Sequence, residues 1–191
     1  MNLQELGSEL GARINETRLI PANRSILRAC GKEILGMVQA YYVDGTTFFF
    51  TKGDLPNALA SFTYAFGWLD AGSCLGYVST RSQGLPQCRP DPGKNHSSDP
   101  RLMEKTRRYY NLLSVACHGL EPAPEGGSCL HDTGEKILMI ARLFLENGFH
   151  NEQSGDIFSA LASYSYGFGW LDAGVRIGLF RIIRNRELFT I

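Results

Sequence analysis

Ala58-Leu-Ala-Ser-Phe-Thr-Tyr-Ala-Phe-Gly-Trp-Leu-Asp-Ala-Gly72 returns as Ala160-Leu-Ala-Ser-Tyr-Ser-Tyr-Gly-Phe-Gly-Trp-Leu-Asp-Ala-Gly174. Self-similarity over such a run marks a tandem duplication. Both copies keep a tryptophan (Trp68, Trp170) and a lone aspartate (Asp70, Asp172), although the surrounding sequence has diverged. The register extends outward from this run. Ala160 follows Ala58 by 102 positions, whereas Ile137-Leu138 follows Ile34-Leu35 by 103, so one residue is lost between Gly45 and Gly53. A turn accommodates such a change.

Each unit reads as three helices, over 3–19, 26–50 and 55–77 in the first and 101–118, 135–149 and 157–183 in the second. On the third helix, Ala58, Phe62, Ala65, Leu69, Gly72 and Gly76 form a heptad-like seam of small and apolar residues. Tyr64, Trp68, Ala71 and Leu75 form another beside it. Two partner helices cover only part of so apolar a surface, so the other copy or another chain is expected on the rest. The glycines Gly67, Gly72 and Gly76 read as packing positions within this helix.

Boundaries carry their own chemistry. Asp99-Pro100 offers an N-cap acceptor followed by a proline whose missing N–H costs nothing in the first turn. Gly53-Asp54 and Gly155-Asp156 end one element and cap the next, and Pro56 sits in a first turn. The expected organisation is a repeat over 1–80, a Pro/Gly-rich polar linker over 81–99, and a repeat over 100–191 with a basic-apolar extension. Pro86, Pro90, Pro92, Gly84 and Gly93 keep the linker from continuing a helix or burying much apolar surface. The fold class is all-α: two three-helix bundles packed through their third helices with pseudo-twofold symmetry.

Composition narrows the function classes. Of 191 residues, 43% are hydrophobic and 20% charged, which excludes disorder throughout. Nineteen basic residues balance nineteen acidic ones, so net charge gives no argument for nucleic acid. Five cysteines without a CxxC pair read as free thiols in a reducing cytoplasm. The N-terminus lacks the pattern of a signal peptide, and Asn57, Ser61, Thr63, Tyr64 and Asp70 make the longest stretch free of Lys and Arg costly to insert in a bilayer.

Asp70 and Asp172 are the candidate site residues, together with Trp68 and Trp170. A buried carboxylate needs partners or takes up a proton. A helix N-terminus, a tyrosine hydroxyl or an arginine would serve, and Arg176 lies one turn beyond Asp172; Cys74 holds that place in the first copy. A ligand or partner contact is the functional alternative, while catalysis would require a second titratable group. No phosphate-binding Gly-rich loop, Gly-x-Ser-x-Gly or His-Glu-x-x-His motif is present. Cys117, His118, Cys129 and His131 match no standard zinc spacing, so neither a metal nor another cofactor is expected.

Arg101, Lys105 and Arg108 make a basic stripe, and Arg176, Arg181, Arg184 and Arg186 follow near the C-terminus. As a helix continuation this last stretch would dock Ile177, Phe180 and Ile183 and present its arginines outward. The terminal Leu188, Phe189 and Ile191 are expected to pack on the bundle or a second copy rather than on lipid.

Tyr41-Tyr42-x-Asp44, Gly53-Asp54 and the run from Ala58 through Gly72-x-x-x-Gly76 resemble the archaeal domain of unknown function numbered 357, a short three-helix bundle. The second copy matches from Gly155-Asp156 through Phe180 but has Phe144-Leu145-Glu146-Asn147 in place of the Tyr-Tyr-x-Asp element. The resemblance implies a fold and an archaeal cytoplasmic origin; it supplies no activity. The resulting expectation is a non-catalytic interaction or scaffold module that binds a protein partner or itself. The alternative is a nucleotide- or RNA-binding bundle using the basic residues of the second repeat.

Overall fold

Asp54 and Asp156 each accept a backbone N–H at the start of a third helix, from Asn57 at 3.2 Å and from Ser159 at 3.0 Å. These caps fix the entry to the two central helices of the computed structural model, which describes residues 1–81, 83–89 and 99–189. The first repeat comprises α1 (Leu3–Glu16), β1 (Arg18–Leu19), α2 (Leu27–Phe50), α3 (Leu55–Cys74) and β2 (Val78–Ser79). The second comprises α4 (Pro100–Gly119), β3 (Leu120–Pro122), α5 (Cys129–Gln153), α6 (Ile157–Arg176) and β4 (Phe180–Ile182), before a short 3-10 turn at Arg186–Leu188. The fold is all-α with tandem bundles. α5 starts earlier than its hydrophobic pattern suggests, because Ser128 caps it by accepting from His131 N–H.

The third helices are shorter than expected, and the reason is the same in both repeats. Gly76 (φ 75°) and Gly178 (φ 78°) turn the chain in the left-handed region. Tyr77 N–H then closes on Gly72 carbonyl, and Leu179 N–H on Gly174 carbonyl, each at 2.9 Å, which is a Schellman ending. Gly76 therefore terminates the helix instead of packing within it. The chain beyond runs back as a strand: β2 pairs antiparallel with β1 (Leu19 opposite Val78), and β4 with β3 (Pro122 opposite Phe180). The expected helix continuation to Ile183 is thus replaced by β4, with Phe180 buried and Ile183 exposed. Likewise, α1 stops at Glu16 and Leu19 enters β1.

Residues 58–72 of α3 and 160–175 of α6 are buried on every side. α1 and α2 pack on α3, α4 and α5 pack on α6, and α3 and α6 pack extensively on one another. The two cross where neither carries a side chain. A Cβ at Gly67 would collide with the Tyr166 carbonyl oxygen, and one at Gly169 would lie 2.5 Å from the Tyr64 carbonyl oxygen. Ser165 Oγ donates to the Ala60 carbonyl at 2.6 Å across the same crossing. The face that three helices leave bare is covered by the other copy.

Residues 83–89 lie against the body, contrary to the expectation of a segment with little to bury. Cys88 is buried, Arg89 N–H donates to the Met1 carbonyl at 2.8 Å, and the amino terminus donates to the Gln87 carbonyl. Pro90, Pro92 and Gly93 fall outside the described residues. Phe189 stacks on Phe168 with centroids 6.2 Å apart, so the C-terminal segment packs on the bundle; Ile191 lies outside the described residues.

Candidate functional site

The two signature aspartates are reached from opposite repeats. Tyr166 Oη on α6 donates to Asp70 Oδ2 on α3 at 2.7 Å, and Tyr64 on α3 donates to Asp172 Oδ2 on α6. Each tyrosine sits six residues before the aspartate of its own helix, nearly two turns away, so it serves its neighbour instead. Asp70 and Asp172 are 1% and 0% exposed, and both exchanges are enclosed by protein. Burial, followed by the adjacent carboxylate, pushes the phenols of Tyr64 and Tyr166 well above their ordinary range, which keeps them as neutral donors.

The surroundings break the symmetry. Around Asp172, Tyr41 of α2 packs on Tyr64 with centroids 4.3 Å apart, and Phe144 of α5 takes the matching place against Tyr166 at 4.4 Å. Asp70 has further support from the segment after β2. Gly84 (φ 96°) donates its N–H to Asp70 Oδ2 at 2.8 Å and receives Arg13 on its carbonyl at 3.1 Å. Arg13 is itself buried, paired with Glu9 at 2.8 Å, and its guanidinium lies 4.8 Å over the Phe66 ring. The strand registers place Ala116 where the first repeat has Arg13, since both β1–β3 and α2–α5 correspond at an offset of 103. Burial raises the Asp70 carboxyl above 3.8 despite the opposing bonds from Tyr166 and Gly84 and the charge of Arg13.

Among the described residues, three buried polar atoms in these clusters have no hydrogen-bond partner: Asp70 Oδ1, Trp68 Nε1 and Trp170 Nε1. Each indole lies near the tyrosine hydroxyl one turn earlier on its helix without reaching hydrogen-bond geometry. Among the described residues, neither aspartate lines the two grooves that follow. A groove of about 380 Å³ runs between residues 85–89 and α5–α6, with Asn147, Asn151, Ser159 and Ser163 in its wall. Another of about 390 Å³ lies along α4 at Arg107, Arg108 and Leu112.

The basic residues are largely engaged within the chain. Lys105 donates to Asn57 Oδ1 and lies 5.5 Å over the Tyr109 ring, with burial lowering its pKa. Arg176 pairs with Glu33 at 2.9 Å, Arg181 with Glu121, and Arg101 approaches Asp99 at 4.0 Å. Arg108 and Arg184 are exposed. Of the four thiol and imidazole groups considered as ligands, Cys117 is in the core, whereas His118 and Cys129 are exposed and His131 Nδ1 contacts the Pro124 carbonyl.

The aspartates stand out in the sequence, with a tyrosine hydroxyl as one of three open partner classes; which tyrosine reaches which carboxylate, and the parts of Arg13 and Gly84, do not. Retention of Tyr64 and Tyr166 in both copies was the available signal. No curated protein and no solved structure shows a significant match to this chain. The family model described as "Protein of unknown function (DUF357)" matches residues 8–78 and again residues 108–180. With two copies of the domain covering most of its length, the chain belongs to that family.

Proposed function

We propose that this protein is a non-catalytic protein-interaction module whose binding surface is the outer faces of α2 and α5. The observation that carries this reading is the placement of its exposed apolar side chains. Val43 and Phe50 on α2, and Met139 and Leu143 on α5, are 54–68% exposed and lie on the sides of their helices away from the core. Isolated exposed apolar residues need no explanation, but recurrence along one helix in each repeat favours a partner. The Tyr–Asp exchange supports the same reading from the other side, because carboxylates this deeply buried and bonded to tyrosine hydroxyls suit a locking role better than chemistry. Five unpaired cysteines favour a reducing, cytoplasmic setting. The polyanion alternative has less support, since Lys105, Arg176 and Arg181 already have intramolecular partners.

Val43→Glu and Leu143→Glu test the reading. Both positions are exposed, so helix content and thermal stability should be retained while partner capture from the source lysate is lost. Undiminished capture by both variants would contradict the assignment of the surface.

A further inference from the structure

We infer that the groove between residues 85–89 and the α5–α6 pair binds a short extended peptide, held by its backbone on the side-chain amides of Asn147 and Asn151. This site is separate from the exposed apolar faces of α2 and α5 and does not depend on them. The duplication explains why the groove exists. At the offset of 103, Leu3 at the start of α1 corresponds to Thr106, and α4 starts at Pro100, six positions before it. These extra turns carry Lys105, which covers the start of α3 by donating to Asn57 Oδ1. In the second repeat the segment after β2 takes that place. Ser159, the counterpart of Asn57 on α6, donates its hydroxyl to the Cys88 carbonyl at 3.3 Å, and a groove of about 380 Å³ is left alongside. That volume falls within the range of about 300–1,000 Å³ typical of ligand sites.

The amide pair belongs to this repeat alone, since Asn147 and Asn151 correspond to Asp44 and Phe48 of α2. Both donate an N–H to Ser163 Oγ, at 3.1 and 3.5 Å, so both side chains turn to the same wall. Each amide then keeps one N–H and its carbonyl oxygen without a partner among the described residues. One N–H and one carbonyl are also what each residue of a bound chain has to satisfy. The spacing agrees. Four residues of α-helix rise about 6 Å, and alternate residues of an extended chain lie about 6.6 Å apart. On the other wall, the N–H groups of Leu85, Gln87 and Cys88 have no acceptor among the described residues. Unpaired backbone on one side and unpaired amides on the other favour a chain laid between them. Charge disfavours an anion. Arg89 and Asp156 are the charged residues of the lining, one of each sign, so a phosphate gains no net attraction there. Phe144 in the same lining offers an apolar contact for one side chain of the peptide.

A random heptapeptide library displayed on phage and panned against the immobilised full chain supplies the probes, and fluorescence anisotropy measures the affinity of the selected peptides. Asn147→Ala and Asn151→Ala should each weaken binding by about tenfold. Asn147 is exposed, so its variant should melt close to the wild type and keep the fold out of question. Methylating single backbone nitrogens of the peptide should cost a similar factor at alternate positions, a pattern that recognition through side chains alone would not give. Adenosine or glucose added to the complex should leave the peptide bound. Four results would overturn the inference: a library that yields no binder, selected peptides that bind both asparagine variants as tightly as the wild type, N-methylated peptides undiminished at every position, or displacement of the peptide by adenosine or glucose. The last would assign the groove to a small polar ligand.

Discussion

Tyr166 on α6 donates its hydroxyl to Asp70 on α3 at 2.7 Å, and Tyr64 on α3 returns the same bond to Asp172 on α6. The two repeats therefore hold each other by an exchange of identical groups, as the halves of a symmetric dimer would, although one chain supplies both. The paired glycines make the exchange reachable. With Gly67 and Gly169 at the crossing, the two backbones come close enough for each tyrosine to extend along the neighbouring helix to its carboxylate.

Adding one methyl group at the crossing should separate the helices. Gly67→Ala and Gly169→Ala each place a Cβ against a backbone carbonyl, which cannot swing aside as a side chain could. Each should lower unfolding free energy by about 1–3 kcal/mol or more in denaturant titrations. Gly36→Ala, where the added Cβ meets open space, should instead raise it by about 0.5–1 kcal/mol through helix propensity. Equal effects at Gly36 and Gly67 would contradict the packing described.

Asp70 should impose a pH dependence of definite sign. Burial raises its folded-state pKa above the ordinary 3.8, so the folded protein keeps this proton to higher pH than the unfolded chain does. The associated stability is full below the ordinary value and is lost as pH rises through the folded pKa. Stability of the wild type relative to Asp70→Asn should consequently fall across that window, as measured by thermal melts at stepped pH. A difference that stays flat or rises would contradict the direction.

Thiol labelling tests the placement of the segment after β2. Cys88 and Cys117 are buried, and burial pushes their thiols up to about 12 and about 11 respectively. Cys74 and Cys129 are exposed. Alkylation followed by peptide mapping should modify Cys74 and Cys129 promptly in the native protein, and Cys88 and Cys117 only on the timescale of unfolding. Prompt labelling of Cys88 would show that residues 83–89 stand away from the body.

Much of the fold was legible because duplication tests every pattern twice. Asp54 and Asp156 marked helix starts at matching places, and the apolar wheel of residues 58–72 required cover beyond its own repeat, which α6 provides. The strands were not legible: two or three residues cannot display alternation. Gly76 read as helix packing, and Gly178 fell inside the expected third helix, because nothing local distinguishes a glycine within a helix from one at positive φ. The site was half legible. Asp70 and Asp172 stood out as lone charges, but their partners lie 96 and 108 residues away, and Arg13 and Gly84 reach Asp70 only through the fold.

A double-mutant cycle weighs the exchange between repeats itself. Tyr64→Phe and Asp172→Asn, alone and together, should show a coupling of about 0.5–3 kcal/mol in equilibrium unfolding, as should Tyr166→Phe with Asp70→Asn. The same-helix combination of Tyr64→Phe with Asp70→Asn should be additive within about 0.5 kcal/mol. Additivity in both cross-repeat cycles, or coupling confined to the same-helix pair, would contradict the conclusion that Tyr64, Asp70, Tyr166 and Asp172 lock the two repeats together.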